Sequence, residues 1–562
     1  MSERLSILIV GGYGTFGGRI VELLENEPRL RLIVAGRSAQ KAQQYCLSRQ
    51  GAAAELIPAA FDRAGDLIAQ LEHVRPDILV DASGPFQAYG EGRYRVVGAC
   101  ISRGVDYLDL ADGSEFVAGV AEFDGQARAA GRYALSGVSS FPVLAAAVVR
   151  RLAFGMSRVE AIRGGIAPSP FAGVGMNVIR AIAGYAGQRV GLRRDGKSAI
   201  GHPLTEHMRF TIAPPGRLPL RNAMFSLVDV PDLRVLGQFW PEASIWMGAG
   251  PVPEVMHRAL IAFAWLVRAR LIPTIAPLAP AMHFTTAHLR WGEHRGGMFV
   301  EVEGRDGDGA PVTRSWHLLA EGDDGPLIPS MAVEAIVRNA LGGRRPAPGA
   351  RASVRDLELE DYERLFAGRT IFTGSRTEPL TPQTSLYACI LGDAWEALPP
   401  PIRVMHDVGQ SLTARGRASV ERGRGLLAAL AGRIMGFPKA AADTALSVRF
   451  DVRDGVETWT RTFGAESFSS RQSAGRGRWD RLLCERFGPL SFAMALVRDG
   501  ERLSLVLRGW RFLGIPLPMW LCPTSAAYEH VENGRFGFHV EIGHRLTGLI
   551  VRYRGWLEPG ST

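Results

Sequence analysis

The sequence predicts an α/β fold, continued by a second α+β domain and a β-rich antiparallel C-terminal domain. Three observations carry this. Residues 1–155 alternate short, continuous apolar runs with stretches of helical spacing, the rhythm of a parallel sheet covered on both faces. Residues 156–345 mix strand-like and helical text without that alternation. Residues 386–562 are mostly short β-like runs parted by turn signals such as Arg498-Asp499-Gly500 and Glu532-Asn533-Gly534. Residues 346–385 read as a linker with a short helix.

In order, Leu5–Val10 is an unbroken apolar run, as a parallel strand buried on both faces requires. A helix follows over Phe16–Asn26, then a strand over Leu30–Ala35 and a helix over Ala39–Arg49. Ala53–Phe61 holds a third strand, Arg63–Glu72 a helix and Asp77–Asp81 a fourth strand. Arg93–Arg103 is helical, Val105–Leu110 a strand, Glu115–Gly131 one helix and Arg132–Ser136 a strand. In the second domain Val159–Ile166, Met208–Ile212, Ala287–Trp291, Met298–Val302 and Arg314–Ala320 read as strands, and Met176–Tyr185 and Met331–Leu341 as helices. GGRRPAPGARA, at 342–352, has the composition of an exposed linker, and Asp356–Phe366 is helical. The third domain opens on a helix over Ser385–Ala397. Strands follow at Ala445–Val452, Glu457–Phe463, Trp479–Phe487, Leu490–Arg498, Arg502–Phe512, Ala526–Asn533, Gly537–His544 and Thr547–Trp556.

Composition narrows the function classes. Of the 562 residues 46% are hydrophobic and 22% charged, which excludes a disordered or collagen-like chain. The net charge of +9 is almost wholly arginine, since Lys41, Lys197 and Lys439 are the only lysines; no basic stripe with interleaved aromatics appears, so a nucleic-acid partner is not expected. Cys46, Cys100, Cys389, Cys484 and Cys522 are widely spaced without CxxC, which excludes a disulfide framework and a zinc ribbon, and no metal is expected. The first residues lack a signal-peptide cleavage pattern, and the most apolar stretch, Ala259–Met282, is broken by Arg268, Arg270 and three prolines. The expected location is the cytoplasm. That stretch also admits peripheral contact at the inner membrane surface, or burial in a core or homodimer.

The chemistry lies in Val10-Gly11-Gly12-Tyr13-Gly14-Thr15-Phe16-Gly17. It holds GxGxxG at Gly12, Gly14 and Gly17, directly after a buried strand and directly before a helix, the context of a Rossmann-type dinucleotide site. Gly12 permits the turn, Gly14 lets backbone approach a pyrophosphate and Gly17 lets helix and strand pack; the helix amino end supplies N–H groups to phosphate. The second strand ends Ala35-Gly36-Arg37-Ser38, with Lys41 one turn on and no acid to repel a 2′-phosphate. Arg37, Ser38 and Lys41 therefore favour NADP(H) over NAD(H). Asp62, after the third strand, is placed to meet the adenine amino group or to cap a helix. Ser83-Gly84-Pro85-Phe86, after the fourth strand, sits where the nicotinamide ribose would lie, with Phe86 as a wall.

Together VGGYGTFGGRI, AGRS, DASGPFQAYG, VVGACISRGVDYLDLADG and SGVSSFP resemble the NADP-binding domain of saccharopine-dehydrogenase-like oxidoreductases, and GDDGPLIPSMAVEAIVRNAL resembles the closing segment of that family's second domain. The family's features fall on Gly84, Pro85, Phe86, Cys100, Tyr107 and Asp109. Its usual Gly-Glu after Tyr-x-Asp is replaced by Ala111-Asp112-Gly113. The third domain resembles an uncharacterised bacterial domain, which implies no activity for it. The resemblance implies hydride transfer between NADPH and a carbon centre, with an imine or an activated double bond as acceptor.

A proton donor is sought at the carboxyl edge of the sheet. Tyr89 can donate from its phenol or pack at a helix start; Asp109 and Asp112 can orient substrate or cap the next helix; Cys100 reads as a small buried hydrophobe. His202, His207 and His283 are further general-acid candidates. Arg193 and Arg194 would serve an acidic substrate. Trp510, Phe512, Leu513, Ile515, Leu517, Met519, Trp520 and Leu521 instead suggest a lipid-like ligand or a buried helix. Three readings follow: a reductase of a small or lipid-like substrate, a reductase of an amino-acid or polyamine imine, and a non-catalytic cofactor-binding protein.

Overall fold

The computed structural model describes residues 4–250, 254–288, 290–379 and 384–560; residues 380–383 of the expected linker lie outside them. The chain forms two compact units, one of Met1–Arg209 with Ala223–Ile371 and one of Phe210–Asn222 with Phe372–Thr562.

The first unit begins with β1 (Leu5–Val10), α1 (Thr15–Leu24), β2 (Leu30–Gly36), α2 (Ala39–Ser48), β3 (Glu55–Ala60), α3 (Leu67–Val74), β4 (Ile78–Asp81), α4 (Arg95–Ser102), β5 (Asp106–Asp109), α5 (Ser114–Gly119), α6 (Asp124–Ala129) and β6 (Tyr133–Ser136). After α7 (Ala145–Ala153) come β7 (Arg158–Ala167), α8 (Met176–Tyr185), β8 (Val190–Arg194), β9 (Lys197–Gly201), β10 (His207–Phe210), β11 (Ala223–Leu227), α9 (Asp232–Val235) and β12 (Ser244–Ala249). Then follow α10 (Glu254–Arg268), α11 (Ala279–His288), β13 (Arg295–Arg305), β14 (Pro311–Glu321), α12 (Ile328–Leu341), β15 (Gly349–Ala352) and α13 (Leu359–Phe366).

The strands of the first sheet run in the order β15-β6-β5-β4-β1-β2-β3, and its pairs are parallel. Ile7 and Ile9 face one apolar core and Leu8 and Val10 the other, which is why the sequence of β1 shows no polar alternation. The order reverses between β1 and β4, so their carboxyl ends open a crevice where doubly wound sheets bind ligands. A mixed second sheet, β10-β11-β12-β7-β13-β14, shares its core with α7 and α12. α12 returns to the first sheet's layer: Ser330 Oγ donates to Phe16 O at 3.4 Å and Arg338 Nη2 to Leu23 O at 3.2 Å.

Three expectations for this unit are corrected. Gly349–Ala352, expected in an exposed linker, is a strand parallel to β6. Asp124 Oδ1 accepts from the Ala350 N–H at 3.0 Å, and Gly349, at φ +134°, leaves that carboxylate no room for a Cβ. The single helix expected over Glu115–Gly131 is broken after Gly119, because Tyr94 Oη donates to Phe116 O at 2.9 Å and occupies the space beside Gly119. Ala287–Trp291 is not a strand. Ala287 and His288 end α11, where Thr285 Oγ1 and the His288 ring bond carbonyls four residues back; Leu289 lies outside the described residues.

The second unit contains β16 (Ile371–Glu378), α14 (Leu386–Leu391), α15 (Pro400–His406), β17 (Ser411–Arg422), α16 (Leu426–Ile434), β18 (Ala441–Arg453), β19 (Val456–Phe463), β20 (Glu466–Ala474) and β21 (Leu483–Phe487). It ends with β22 (Leu490–Asp499), β23 (Arg502–Phe512), β24 (Ile515–Pro516), β25 (Thr524–Glu532), β26 (Arg535–His544) and β27 (Gly548–Pro559). The order β22-β21-β20-β19-β18-β17-β27-β26-β25-β23 closes because β22 also pairs with β23, giving an antiparallel barrel with β24 appended. Trp479, expected in a strand, belongs to a 3₁₀ turn before β21, and the opening helix stops at Leu391. Among the described residues no helix is long and apolar enough to cross a membrane.

α1 packs with no spare room against the turn before it. A Cβ on Gly17 would stand 2.2 Å from Gly11 O, whereas one on Gly14 would meet only that oxygen, at 3.1 Å. Gly17→Ala is therefore expected to lower unfolding free energy by at least ~1–3 kcal/mol, the usual cost of overpacking, and Gly14→Ala by clearly less. Urea unfolding of both variants checks this; equal midpoints would contradict it.

Candidate functional site

The turn between β1 and α1 is set by backbone. Gly11, at φ +79°, takes the left-handed conformation there, not Gly12. The N–H groups of Gly11 and Gly12 donate to Ala35 O at 2.8 and 2.9 Å, and the Gly14 N–H to Gly11 O at 2.8 Å. Gly12 is buried against Ile9 and Val34, while Gly14 and Thr15 are exposed at the mouth. No side chain caps α1 and no acid lies in its first turn, so its amino end is suited to an anion. Phe16 sits at that end under the Arg19 guanidinium, which is 5.5 Å from its ring.

Tyr13 links this turn to the end of β2. Its hydroxyl accepts from the Ser38 N–H at 3.2 Å, and its ring covers Gly36, leaving no space there for a side chain. Ser38 Oγ caps α2 by accepting from the Lys41 N–H at 3.3 Å. Arg37 and Lys41 are exposed beside it. Asp62 makes a turn instead of capping a helix: its Oδ1 accepts from the Ala64 N–H at 3.0 Å, and Gln70 bonds its backbone, while Asp66 is the N-cap of α3.

At the end of β4 a polar chain appears whose far members the sequence did not single out. Asp81 is fully buried, and its Oδ1 accepts from the Ser83 N–H at 3.1 Å and from Ser83 Oγ at 2.6 Å. Ser83 Oγ lies 3.0 Å from Tyr89 Oη. The Ser83 proton is already given to Asp81, so the Tyr89 hydroxyl donates to Ser83. Arg63 Nε stands 3.3 Å from Asp81 Oδ2, and its guanidinium carbon lies 3.4 Å from the centre of the Tyr89 ring. Arg63 thus neutralises the carboxylate and faces the phenol together.

Phe86 differs from its expected role as a wall. It is 4% exposed and packs on Phe116 at 5.1 Å and Tyr89 at 5.2 Å, supporting the Gly84-Pro85 turn from below. Gly84 O accepts from Asn177 Nδ2 at 2.8 Å, and Arg19 Nη2 donates to Ala172 O at 2.9 Å. The segment leading into α8 therefore runs along the crevice from the turn to α1.

The remaining candidates divide by environment. Asp109 is fully buried, and its Oδ1 accepts from the N–H groups of Ala111 and Gly137 at 2.9 and 2.8 Å and from Ser136 Oγ at 3.0 Å. Burial still raises its pKa to about 7, against the pull of those donors. It fixes the loops after β5 and β6. Asp112 accepts from Gln87 Nε2 at 2.9 Å and so ties one of those loops to the Gly84 turn; burial raises its pKa too. Cys100 and Tyr107 are buried, with pKa values raised by burial, so neither ionises readily. Arg193 donates to Gly196 O and Pro241 O, both at 2.7 Å, and Arg194 pairs with Glu206, so both are spent within this unit. His202 belongs to a turn with Glu206, and burial lowers its pKa. His207 is exposed on β10, and His283 lies within α11. Among the described residues no cluster of His, Cys, Asp or Glu could hold a metal ion.

Asp232, on α9, is fully buried, and neither side-chain oxygen meets a hydrogen-bond partner. Burial lifts its pKa from 3.8 to about 8. The folded state thus holds this proton more tightly than the unfolded chain. Its stabilising contribution is complete below about pH 4 and is lost as pH rises towards 8. Asp232→Asn is expected to raise the melting temperature by several degrees more at about pH 8 than at about pH 5. Parallel shifts at both pH values would refute the assignment.

Residues 7–135 match the family model of the saccharopine dehydrogenase NADP binding domain, and residues 398–557 match that of a domain of unknown function, DUF4166. No curated protein matches the sequence. Among solved structures, apo saccharopine dehydrogenase (L-Glu forming) from Saccharomyces cerevisiae is 14% identical, with 66% of this chain and 100% of that chain covered and a TM-score of 0.49. GenD2 from gentamicin A biosynthesis, in complex with NAD, is 14% identical over 68% of this chain and 98% of its own, with a TM-score of 0.32. Biliverdin reductase from Synechocystis sp. PCC 6803, in complex with biliverdin and NADP+, is 12% identical over 65% and 99%, with a TM-score of 0.28. The chain therefore carries a saccharopine dehydrogenase NADP binding domain in residues 7–135 and a domain of unknown function in residues 398–557.

Proposed function

We propose that this chain is an NADP(H)-dependent oxidoreductase that reduces or oxidises a carbon centre of a small or lipid-like substrate. One arrangement carries the reading. The uncapped, acid-free amino end of α1, with Gly14 open at its mouth, is joined through Tyr13 to a β2 end that bears Arg37, Ser38 and Lys41. The first part suits a pyrophosphate and the second a 2′-phosphate. The cofactor, when bound, supplies the hydride chemistry.

The protein's own part is to bind, orient and manage a proton. Gly14, Thr15 and Phe16 offer backbone at the helix end, and Arg37 and Lys41 offer charge. Asp62 keeps one carboxylate oxygen beyond its turn for an amino group. Ser83 and Gly84 line the switch point, held by Asp81 and Asn177. Tyr89 Oη is the proton-carrying atom: it directs its proton towards Ser83 Oγ, and the Arg63 guanidinium over the ring holds the phenol in place for transfer to substrate. Asp109 and Asp112 are positioning residues for the loops around this point.

Two outcomes test the reading. Arg37→Asp is expected to weaken NADPH binding at least tenfold more than NADH binding in calorimetric titration; equal losses would remove the 2′-phosphate assignment. Tyr89→Phe is expected to cut the rate of NADPH oxidation by ~10²-fold or more on whichever substrate a metabolite screen identifies, with NADPH affinity within about twofold. An unchanged rate would leave Tyr89 a packing residue.

A further inference from the structure

The second unit holds a cavity of about 340 Å³ inside its barrel, within the ~300–1,000 Å³ usual for ligand pockets. The reason is geometric. An eight-stranded barrel is just wide enough for its inward side chains to fill it, and interior width grows with strand number. Here the ring β22-β21-β20-β19-β18-β17-β27-β26-β25-β23 is wider, and several inward positions are small: Ala414, Ala418, Ala527 and Ser470.

One end of the barrel is plugged. α14 and α15 bring Tyr387, Met405 and His406, all fully buried, and the His406 ring stacks on Tyr387 at 3.7 Å. This end is the polar floor of the cavity. His406 Nε2 shares a hydrogen bond with Glu529 Oε2 at 2.8 Å, and Tyr387 Oη donates to Gln472 Oε1 at 3.4 Å. Glu529 and Gln472 both line the cavity. On the wall, Arg461 stands 3.4 Å from Glu485 Oε1, and Ser470 Oγ bonds the same oxygen at 2.6 Å.

The other end is where β17 stops and β18 starts, with α16 between them. Register places Arg422 beside Val551, Thr524 opposite Gly543 and His544 opposite Gly548, so these strand ends lie together. α16 turns Ala431 into the cavity and Met435, just past its end, follows, while Leu426 is 90% and Ile434 74% exposed, with Leu427 and Leu430 exposed beside them. A helix apolar towards both cavity and water is a poor permanent lid but a fitting mouth for an apolar molecule. Trp510, Phe512, Leu513, Ile515, Leu517, Met519, Trp520 and Leu521, which the sequence offered for a lipid-like ligand, do not line the cavity; the apolar walls come from Phe437, Phe450, Phe468, Phe492, Leu446 and Val448 instead.

We propose that the barrel of the second unit is a binding site for one uncharged, mainly apolar molecule, a hydrocarbon chain or fused-ring body bearing a hydroxyl, which enters past α16 and lays its hydroxyl on Glu529 and Gln472. The lack of charge follows from the pairing. Arg461 already pairs with Glu485, and Glu529 Oε2 already shares its hydrogen bond with His406 Nε2, so a charged guest finds neither of these groups without a partner. A hydroxyl both donates and accepts, which suits the Glu529 oxygen and the Gln472 amide together. This site is independent of the nucleotide reading.

The test uses the full-length protein and 1-aminoanthracene, an uncharged fluorophore, as the reporter. The expected result is saturable 1:1 binding, with displacement by 1-dodecanol at concentrations at least tenfold below those needed for dodecanoate or dodecyltrimethylammonium. Ala527→Trp, which fills the interior, should weaken reporter binding at least tenfold while circular dichroism is retained. Leu505→Phe serves the same purpose should Ala527→Trp not fold. Failure of folded wild-type protein to bind the reporter, equal displacement by either ion, or wild-type affinity in the folded filled variant would each overturn the proposal.

Discussion

The carbonyl oxygen of Gly11 meets three demands in the nucleotide half. It accepts the Gly14 N–H at 2.8 Å, it lies against the Cα of Gly17, and its peptide follows a turn whose N–H groups are tied to Ala35 O. One peptide group thus joins strand, turn and helix. The position of α1 follows, and with it the aim of the helix end into the crevice between β1 and β4. Tyr13 extends this constraint to β2: its ring needs glycine at position 36, and its hydroxyl holds the Ser38 N–H. The α1 turn and the end of β2 are therefore not independent loops but parts of one braced edge.

Legibility in the sequence followed burial. β1 to β6 could be read because strands buried on both faces are continuous apolar runs, and α1 and α2 because their spacing matched a helix. β15 could not, since four residues with one buried alanine carry no period and their place depends on Asp124. β17 and β20 were missed for a related reason: Ala414, Ala418, Ser470 and Gln472 stand among their inward residues, so little apolar alternation marks them. The break between α5 and α6 comes from Tyr94, about twenty residues upstream.

The candidate site shows the same divide. Residues next to strand ends, from Gly12 to Gly17, Arg37, Ser38 and Ser83, could be read because sheet topology fixes what a strand end faces. The set Arg63–Asp81–Ser83–Tyr89 could not, because Arg63 follows β3 and meets Asp81 only across the fold. A spacing of two between Asp81 and Ser83 is ordinary in sequence; the hydrogen bond that gives it meaning needs the bent backbone after β4. Phe86 shows the converse: an aromatic at a strand end reads as a wall, yet the apolar layer beneath draws it inward, onto Phe116.

The two units treat buried charge differently, and this bears on what each can do. Asp109 and Asp232 lie in the first unit with raised pKa values, Asp109 under donors that hold one oxygen and Asp232 with none. Such groups keep loops rigid and can change protonation near neutral pH. On the barrel walls the charged groups are engaged: Arg461 pairs with Glu485, Glu529 shares a hydrogen bond with His406, and Glu457 accepts from the Trp459 indole. A buried pair adds little to stability by itself, and its desolvation is repaid only when geometry is good. Its effect is on selectivity, because any charged guest must be stripped of water without gaining a partner. An interior lined by aromatics and closed to charge in this way accepts apolar surface and rejects ions, and the polar groups at its floor then decide which end of such a guest goes in first.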